Sequence, residues 1–349
     1  MMIRIADREI GPHRRPYLIA EMSGNHNQSL ERALRIVDAA AESGADAVKL
    51  QTYTAETMTL DVRSSGFIIE DPASTWSGRQ LFDLYREAHT PWEWHRPIME
   101  RAAARGLHCF SSPFDDSAVD FLASLDVPAY KIASFENTDL PLIRRVARAG
   151  KPMIISTGMA NAAEIDEAVR TARGAGCEQI VLLKCTSTYP ATPENTNIRT
   201  IGNMAETFGC LAGLSDHTMG TGVAVASVAF GACVIEKHFT LSRADGGVDS
   251  TFSLEPAEFR QLRVETERAW QALGKVSYGG TPAEDKSRAF RRTLYIAADM
   301  KAGDRLSNEN LRIVRPGFGM APKYFETMLG KRINQDAPAG TPLSWDLLA

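Results

Sequence analysis

Eight short, nearly continuous apolar runs recur along the first 240 residues, each closing on polar side chains: 17–21, 46–51, 107–112, 129–134, 152–157, 180–186, 211–217 and 233–238. Runs without alternation predict strands buried on both faces, which favours parallel pairing. Most are followed by helical periodicity. Ser29 precedes a stretch ending at Gly44 in which Ala33, Leu34, Val37 and Ala40 share a face and Glu31 sits in the first turn. Asn161 and Glu164 form a capping box ahead of Ile165, Ala168 and Val169. Pro256 opens a helix carrying Phe259, Leu262 and Trp270. Eight strand–helix units predict an α/β fold, a closed (β/α)8 TIM barrel, whose functional residues gather at the C-terminal ends of the strands.

The pattern also predicts what surrounds the barrel. Residues 2–13 read as a hairpin plugging its bottom. The connection over residues 52–106 is long for a compact domain and carries Phe67, Ile68, Trp76 and the segment TPWEWH (90–95). It predicts an ordered lid, with a helical decoration on the barrel side as the plainer alternative. The barrel pattern ends near Lys275, and residues 276–289 are polar with Gly and Pro, as in a linker. Beyond it the motif D-x-x-A-G-x-x-L-S occurs at 299–307 and again at 336–344, 37 residues later. Two half-motifs predict a small pseudo-symmetric β domain over 290–349, too small to be secure alone. The expected organisation is thus 1–275, 276–289 and 290–349.

Composition narrows the class. A chain of 349 residues holds one barrel of about 250 residues plus a remainder. Hydrophobic content of 44% and charged content of 23% are ordinary for a soluble protein. A net charge of −4 argues against a nucleic-acid partner. No run approaches the ~18 apolar residues of a membrane span, and the N-terminus lacks a signal-peptide pattern. The five cysteines, at 109, 177, 185, 210 and 233, have no CxxC spacing and read as buried reduced thiols of a cytoplasmic protein.

The polar residues closing the runs converge on one mouth: Lys49, Gln51, Lys131, Ser134, Lys184, His217, Glu236 and His238. Alternation puts Ser215 with His217, and Glu236 with His238, while Lys237 points the other way. Two imidazoles on neighbouring strand ends, with Glu236, Asp245 and Asp249 nearby, suit a divalent metal with open positions for a carbonyl. The plainer reading is two unrelated hydrogen-bonding histidines. The residues leave the metal open, since imidazole suits zinc, iron or nickel and carboxylates with water suit manganese or magnesium. Lys49, Lys131 and Lys184, with Ser112, Ser134 and Ser156, suit a small anion carrying phosphate and carboxylate. The alternatives are snorkelling to solvent or pairing with Glu21 and Glu136. Lys131 or Lys184 also suits a Schiff base, which defines a metal-free aldolase as a rival. A non-catalytic sugar-binding barrel is the third reading.

The segments AEMSGNHNQS (20–29), DAVKLQTYTAETM (46–58), SSPFD (111–115), YKIASFE (130–136), STGMA (156–160), CTSTYPATPEN (185–195), LSDHTMG (214–220) and IEKHFTLSRADGGVDSTFSLEP (235–256) resemble the sialic acid synthase family. RPGFG (315–319) and LGK (329–331) resemble that family's antifreeze-like (SAF) domain, a β-clip. The resemblance implies condensation of phosphoenolpyruvate with the carbonyl of an acetamido sugar, releasing phosphate. It implies a divalent metal on His217 and His238, manganese foremost, with magnesium or cobalt as alternatives. It assigns Lys49, Ser112, Lys131, Ser134, Ser156 and Ser215 to phosphoenolpyruvate, Glu21, Glu236 and Asp249 to acidic active-site positions, and Tyr189 to an active-site tyrosine. Ser187 stands where family members carry Asn. Arg315 matches an arginine that reaches the partner's site in a domain-swapped homodimer. The segments NHNQSLERAL, LYREAHTPWEWH, SRADGGVDS and GTPLSWDLL place the resemblance in one branch of the family, the pattern after KHFTL differing from that of sialic and legionaminic acid synthases, and imply 2,4-diacetamido-2,4,6-trideoxy-L-altrose as the sugar.

Overall fold

The computed structural model describes residues 1–72 and 74–349. By its internal contacts the chain divides into two units, Met1–Gly274 and Lys275–Ala349. Among the described residues no helix is long and apolar enough to cross a membrane.

The first unit begins with a hairpin, β1 (Ile3–Ile5) and β2 (Arg8–Ile10), in which Ile3 faces Ile10. Eight strands follow: β3 (Tyr17–Glu21), β4 (Ala47–Thr52), β5 (His108–Pro113), β6 (Tyr130–Ile132), β7 (Met153–Ser156), β8 (Ile180–Cys185), β9 (Leu211–Asp216) and β10 (Val234–His238). They pair in parallel and close, β10 returning to β3, so the predicted TIM barrel is present. The strands are almost wholly buried, aliphatic in β7 and β8 and mixed with polar residues towards the mouth elsewhere, and the expected helices flank them. Ser29 caps helix Leu30–Glu42 by accepting from the Arg32 N–H. Asn161 and Glu164 complete their reciprocal capping box, and Pro256 sits in the first turn of helix Pro256–Leu273.

The bottom of the barrel is tied by one carboxylate. Asp46 accepts from the Leu18 N–H at 2.8 Å, from Arg15 at 3.1 Å, and from the guanidinium groups of Arg8 and Arg263. Four elements of distant sequence meet there, and Ile3, Ile5 and Ile10 of the hairpin are buried in the barrel core. A second buried pair lies on the outer face. Lys237 alternates away from the interior and donates to Asp216 Oδ2 at 2.9 Å, and to the carbonyls of Thr218 and Gly220 at 2.6 and 2.9 Å. Both side chains are 0% exposed.

The long β4–β5 connection divides its duties. Its first part is a lid. Residues 67–69 run against residues 78–81, with the Ile69 N–H on the Arg79 carbonyl and the Leu81 N–H on the Phe67 carbonyl, both at 2.9 Å. The Trp76 indole N–H reaches the Val248 carbonyl at 2.9 Å, and the Thr75 hydroxyl the Tyr189 carbonyl at 3.1 Å. The TPWEWH segment instead opens helix Trp92–Ala104, which packs beside helix Leu30–Glu42 and β5 as an ordinary barrel helix. Trp92 stacks on Phe121 at 4.6 Å, which fixes that role.

Two histidines buried away from the mouth link fold to pH. His95 Nδ1–H donates to the Pro91 carbonyl while Nε2 accepts from the Thr52 hydroxyl at 2.7 Å. Burial pushes His95 and His26 down from 6.5 to about 4. Between those values the unfolded chain binds more protons, so each histidine removes stability as pH falls from about 6.5 towards 4. Glu21 and Glu136, which burial raises from 4.5 to about 7, act in the opposite sense, so the test is a difference. His95→Gln is less stable than wild type at pH 7.5, and that gap narrows by roughly 2 kcal/mol at pH 5. A gap unchanged between the two values in urea titrations contradicts the linkage.

In the second unit β11 (Thr293–Ile296) pairs antiparallel with β12 (Leu311–Val314) over a core that includes Leu294, Met300, Leu306, Ile333, Leu343 and Leu347. The repeated motif clasps itself. Met300 and Ala337 exchange both backbone hydrogen bonds at 2.9 Å. The Asp336 carboxylate accepts from the Ala302 N–H at 2.9 Å, and the Asp299 carboxylate from the Ala339 N–H at 2.8 Å. Each copy caps the other's turn at the equivalent position. Residues 276–289, expected as linker, are partly helical: Pro282–Phe290 forms 3-10 turns capped by Thr281 and Glu284. T-P-A-E is itself a capping box, obscured in the sequence by the preceding glycines.

Candidate active site

The barrel floor pairs lysines with carboxylates. Glu21 and Lys49 are register partners on β3 and β4, and Lys49 Nζ lies 2.6 Å from Glu21 Oε2. Lys49 also donates to the Ser112 hydroxyl at 3.4 Å. Lys131 donates to the Ser156 hydroxyl at 2.7 Å. Glu236 Oε1 sits between the lysines, 3.8 Å from Lys49 and 3.7 Å from Lys131, and accepts from the Ser215 hydroxyl at 3.3 Å. All these side chains are buried.

Burial and neighbouring charge divide their protonation. Burial pushes Lys49 down, but Glu21 and Glu236 overcome it and hold the ammonium above its ordinary value. Burial pushes Lys131 down, and Glu236 only partly restores it. Burial raises Glu236, but Lys131 and Lys49 more than reverse this, so it stays ionised. Glu21 is pushed up by burial to about 7 despite Lys49. Two carboxyls on one floor therefore differ, one ionised and one poised near neutrality. Glu236 Oε2 is buried without a hydrogen-bond partner, and its desolvation favours a ligand that brings a donor.

The histidines meet above this floor with ring centroids 5.3 Å apart. His217 Nδ1 lies 3.0 Å from the Thr186 carbonyl, which only accepts, so Nδ1 carries a proton; burial pushes this ring's pKa down, but contact with Cys185 more than reverses it. His238 Nδ1 is buried without a hydrogen-bond partner, and burial followed by the His217 and lysine charges keeps this ring neutral. Asp249 Oδ2 lies 3.8 Å from that atom and is also hydrogen-bonded by the Ser23 hydroxyl. Two imidazoles, one oriented by a backbone carbonyl and one with an orphaned nitrogen, fit a divalent ion that takes its remaining ligands from water or substrate, once His217 gives up the proton on Nε2. Among the described residues there is no group of three or more His, Cys, Asp or Glu side chains arranged to hold a metal.

Tyr189 packs its ring 4.5 Å from His217 and 5.4 Å from Phe252, and burial raises its hydroxyl so that it keeps its proton. Ser134 accepts from the Gly158 N–H at 3.2 Å. A Cβ on Gly158 would collide with the hydroxyls of Ser134 and Ser187, which explains the glycine in STGMA. Ser187 and Cys185 lie 3.8 Å apart, oxygen to sulfur. Lys184 corrects the strand reading. Cys185, which neighbours His217, occupies the inner face, so Lys184 alternates outward and its Nζ is spent on the Cys185 carbonyl at 2.8 Å. Asp245 is likewise removed from the site and pairs with Arg32. Arg315 belongs to the second unit, exposed immediately after β12.

Sequence reasoning missed Ser23 and Cys185 as contributors and named Glu136 only as an alternative partner for the lysines. Ser23 accepts from Gln51 at 3.2 Å and donates to Asp249, while Gln51 also donates to Glu21 at 2.9 Å. Glu136 turns a carboxylate into the mouth, with Oε2 unpartnered and its pKa raised by burial to about 7. Ser23 and Glu136 stand in short turns directly after strands, a positional signal that outweighs their lack of periodicity. A cavity of about 410 Å3 opens above these groups and under the lid.

A family model described as the NeuB family matches residues 36–278, and one described as the SAF domain matches residues 291–349. The chain belongs to the NeuB family. A pseudaminic acid synthase of Campylobacter jejuni is 42% identical over 94% of this chain and 95% of its own length. One of Helicobacter pylori is 40% identical over 95% of this chain and 97% of its own. Among solved NeuB-like folds, an N-acetylneuraminic acid synthetase of Leptospira borgpetersenii superposes with a TM-score of 0.74 at 29% identity, covering 82% of this chain and 95% of that one.

Proposed function

We propose that this NeuB-family enzyme joins phosphoenolpyruvate, 2,4-diacetamido-2,4,6-trideoxy-L-altrose and water into pseudaminic acid and phosphate. The carrying observation is 40–42% identity, over nearly the full length, to chains named for that synthesis. N-acetylneuraminic or legionaminic acid synthesis is the alternative within the family. Phosphate release from phosphoenolpyruvate with each of the three sugars, followed by NMR of the product, tests it. Release only with another sugar reassigns the substrate, and none with any sugar leaves a non-catalytic binder.

Lys49, Lys131 and the hydroxyls of Ser112, Ser134, Ser156 and Ser215 grip phosphoenolpyruvate, whose negative charge offsets the buried ammonium groups. His217 Nε2 and His238 would hold a divalent ion, manganese foremost and magnesium or cobalt otherwise, which when bound polarises the sugar carbonyl. The site holds the two substrates so that the methylene carbon faces the aldehyde, and the new C–C bond leaves a cation at C2. Water adds there, giving its proton to Glu21, whose pKa near 7 suits a general base and which Gln51 orients. Phosphate then leaves with cleavage of its C–O bond. Glu236 stays ionised between the lysines, Asp249 adds negative charge beside His238, and Tyr189 and Ser187 bound the sugar. The rival imine chemistry loses Lys184 to the outer face.

Lys49→Ala and Lys131→Ala each raise the KM for phosphoenolpyruvate by about tenfold to hundredfold, the loss of one charge-assisted contact. The sugar KM stays near its wild-type value. Unchanged phosphoenolpyruvate kinetics in both variants contradict the assignment.

We propose further that Arg315 acts across a domain-swapped homodimer in the cytoplasm, where the five free, buried cysteines stay reduced. Co-expressing a His217→Ala chain with an Arg315→Ala chain, each inactive alone, restores about a quarter of wild-type activity if Arg315 serves the partner's site. Random pairing makes half the dimers mixed, and each mixed dimer has one intact site. No recovery in verified heterodimers rules out the shared site.

A further inference from the structure

The β4–β5 connection brings two tyrosines to the cavity under the lid, and the proposed steps leave both unused. Tyr53 stands directly after β4, and Tyr85 lies in helix Leu81–Ala88. Both line the cavity, together with Phe114 and Glu136. Their rings interlock: Tyr53 meets Tyr85 edge-to-face at 5.8 Å and Phe114 edge-to-face at 5.2 Å. That packing fixes the rings, yet neither phenol hydroxyl has a hydrogen-bond partner among the described residues. Burial, and then the Asp249 carboxylate, hold the Tyr53 hydroxyl well above its ordinary value. Burial, and then Glu136, raise that of Tyr85. Both therefore keep their protons and stand as donors. Glu136 Oε2 is the complementary acceptor, buried and unpartnered. Met58 and Leu84 add apolar surface to the same wall. Donors, an acceptor and aromatic edges side by side suit a secondary amide carrying a methyl group. Its carbonyl accepts, its N–H donates, and its methyl packs on the rings.

We infer that Tyr53, Tyr85 and Glu136 form a binding subsite for the outer acetamido group of the sugar, the one at C4. The inference rests on the function proposed above and deepens it. The C2 acetamido group adjoins the reacting carbonyl and so stays beside the histidines. The C4 group is two carbons further along the chain. Asp249 marks the same step on the protein: it lies 3.8 Å from His238 Nδ1, and its carboxylate is the charge that acts most on the Tyr53 hydroxyl. The phenols donate to the C4 amide carbonyl, and Glu136 Oε2 accepts from its N–H. The methyl group buries against Phe114 and Leu84. A hydroxyl at C4 offers one polar atom where the amide offers two, and it leaves the apolar surface unfilled.

The test uses the full-length chain at about pH 8, where Glu136 is ionised, and follows phosphate release. The sugars are 2,4-diacetamido-2,4,6-trideoxy-L-altrose and the same sugar with a hydroxyl in place of the C4 acetamido group. Wild type favours the diacetamido sugar by at least about thirtyfold in kcat/KM. Tyr53→Phe and Tyr85→Phe keep the ring packing and remove one oxygen each. Each lowers kcat/KM for the diacetamido sugar by roughly fivefold to tenfold, through the sugar KM, and for the hydroxyl sugar by less than about twofold. The KM for phosphoenolpyruvate stays at its wild-type value. Equal losses with the two sugars, or no loss, in either variant overturn the inference and leave the proposed function standing. So does use of the hydroxyl sugar by wild type within about threefold of the other. Phosphate release with neither sugar overturns the proposed function and this inference with it. If one variant does not fold, the other decides.

Discussion

His217→Ala and His238→Ala will each cut phosphate release from phosphoenolpyruvate by about a thousandfold or more, a loss of at least ~4 kcal/mol in the barrier. The rings are close together, one aimed by the Thr186 carbonyl and the other with a nitrogen that nothing among the described residues satisfies. Removing either leaves a divalent ion with one protein imidazole, too few to hold it against water. Exhaustive chelation of the wild type gives the same loss, and adding manganese restores it. The variants keep their fold, because the rings sit at strand ends outside the packed aliphatic layers. Far-UV circular dichroism and a thermal midpoint near wild type separate this from misfolding. Full turnover after chelation sinks the metal assignment.

The largest effect on stability is expected at Asp216. Asp216→Ala leaves the Lys237 ammonium wholly buried with only two carbonyls to meet it, which costs about 3–5 kcal/mol. The thermal midpoint drops by roughly 10 °C in a domain of this size. The double replacement Asp216→Leu with Lys237→Met recovers most of that loss, since apolar groups of similar volume need no partner. Activity falls further than stability, because Lys237 straps the carbonyls of Thr218 and Gly220 immediately after His217. A double-mutant cycle with no coupling between the two positions contradicts the buried-pair account.

The barrel was legible because parallel strands covered on both faces leave continuous apolar runs, and because each run stops where its side chains reach the mouth. The histidines, Glu236 and the inner lysines followed from alternation read backwards from those ends. Lys184 was misplaced for the same physical reason: in an unbroken apolar run such as 180–183, nothing in the pattern marks which face is inner. β6 ends at Ile132, earlier than its run, because Ser134 already begins a 3-10 turn. The lid was visible as length and aromatic content. Its docking by Trp76 onto Val248 joins residues far apart in sequence, and no local pattern encodes that. The helix from Trp92 was masked by its aromatic residues, Trp92 packing on Phe121 and Trp94 on His26 and neither lining the cavity.

The mutual capping in the second unit has a consequence for its smallest working piece. Asp299 closes the turn of the later motif, and Asp336 closes the turn of the earlier one. Neither half contains the group that finishes its own turn. A peptide carrying one motif would have to find a second copy of itself to become ordered. Two such motifs on separate chains would have to meet by diffusion, whereas here one chain carries both. Their linkage replaces a concentration-dependent encounter with a fixed local one. The unit therefore has no half-folded stopping point between the two motifs, and cutting the chain between residues 308 and 335 yields fragments that regain order only when mixed.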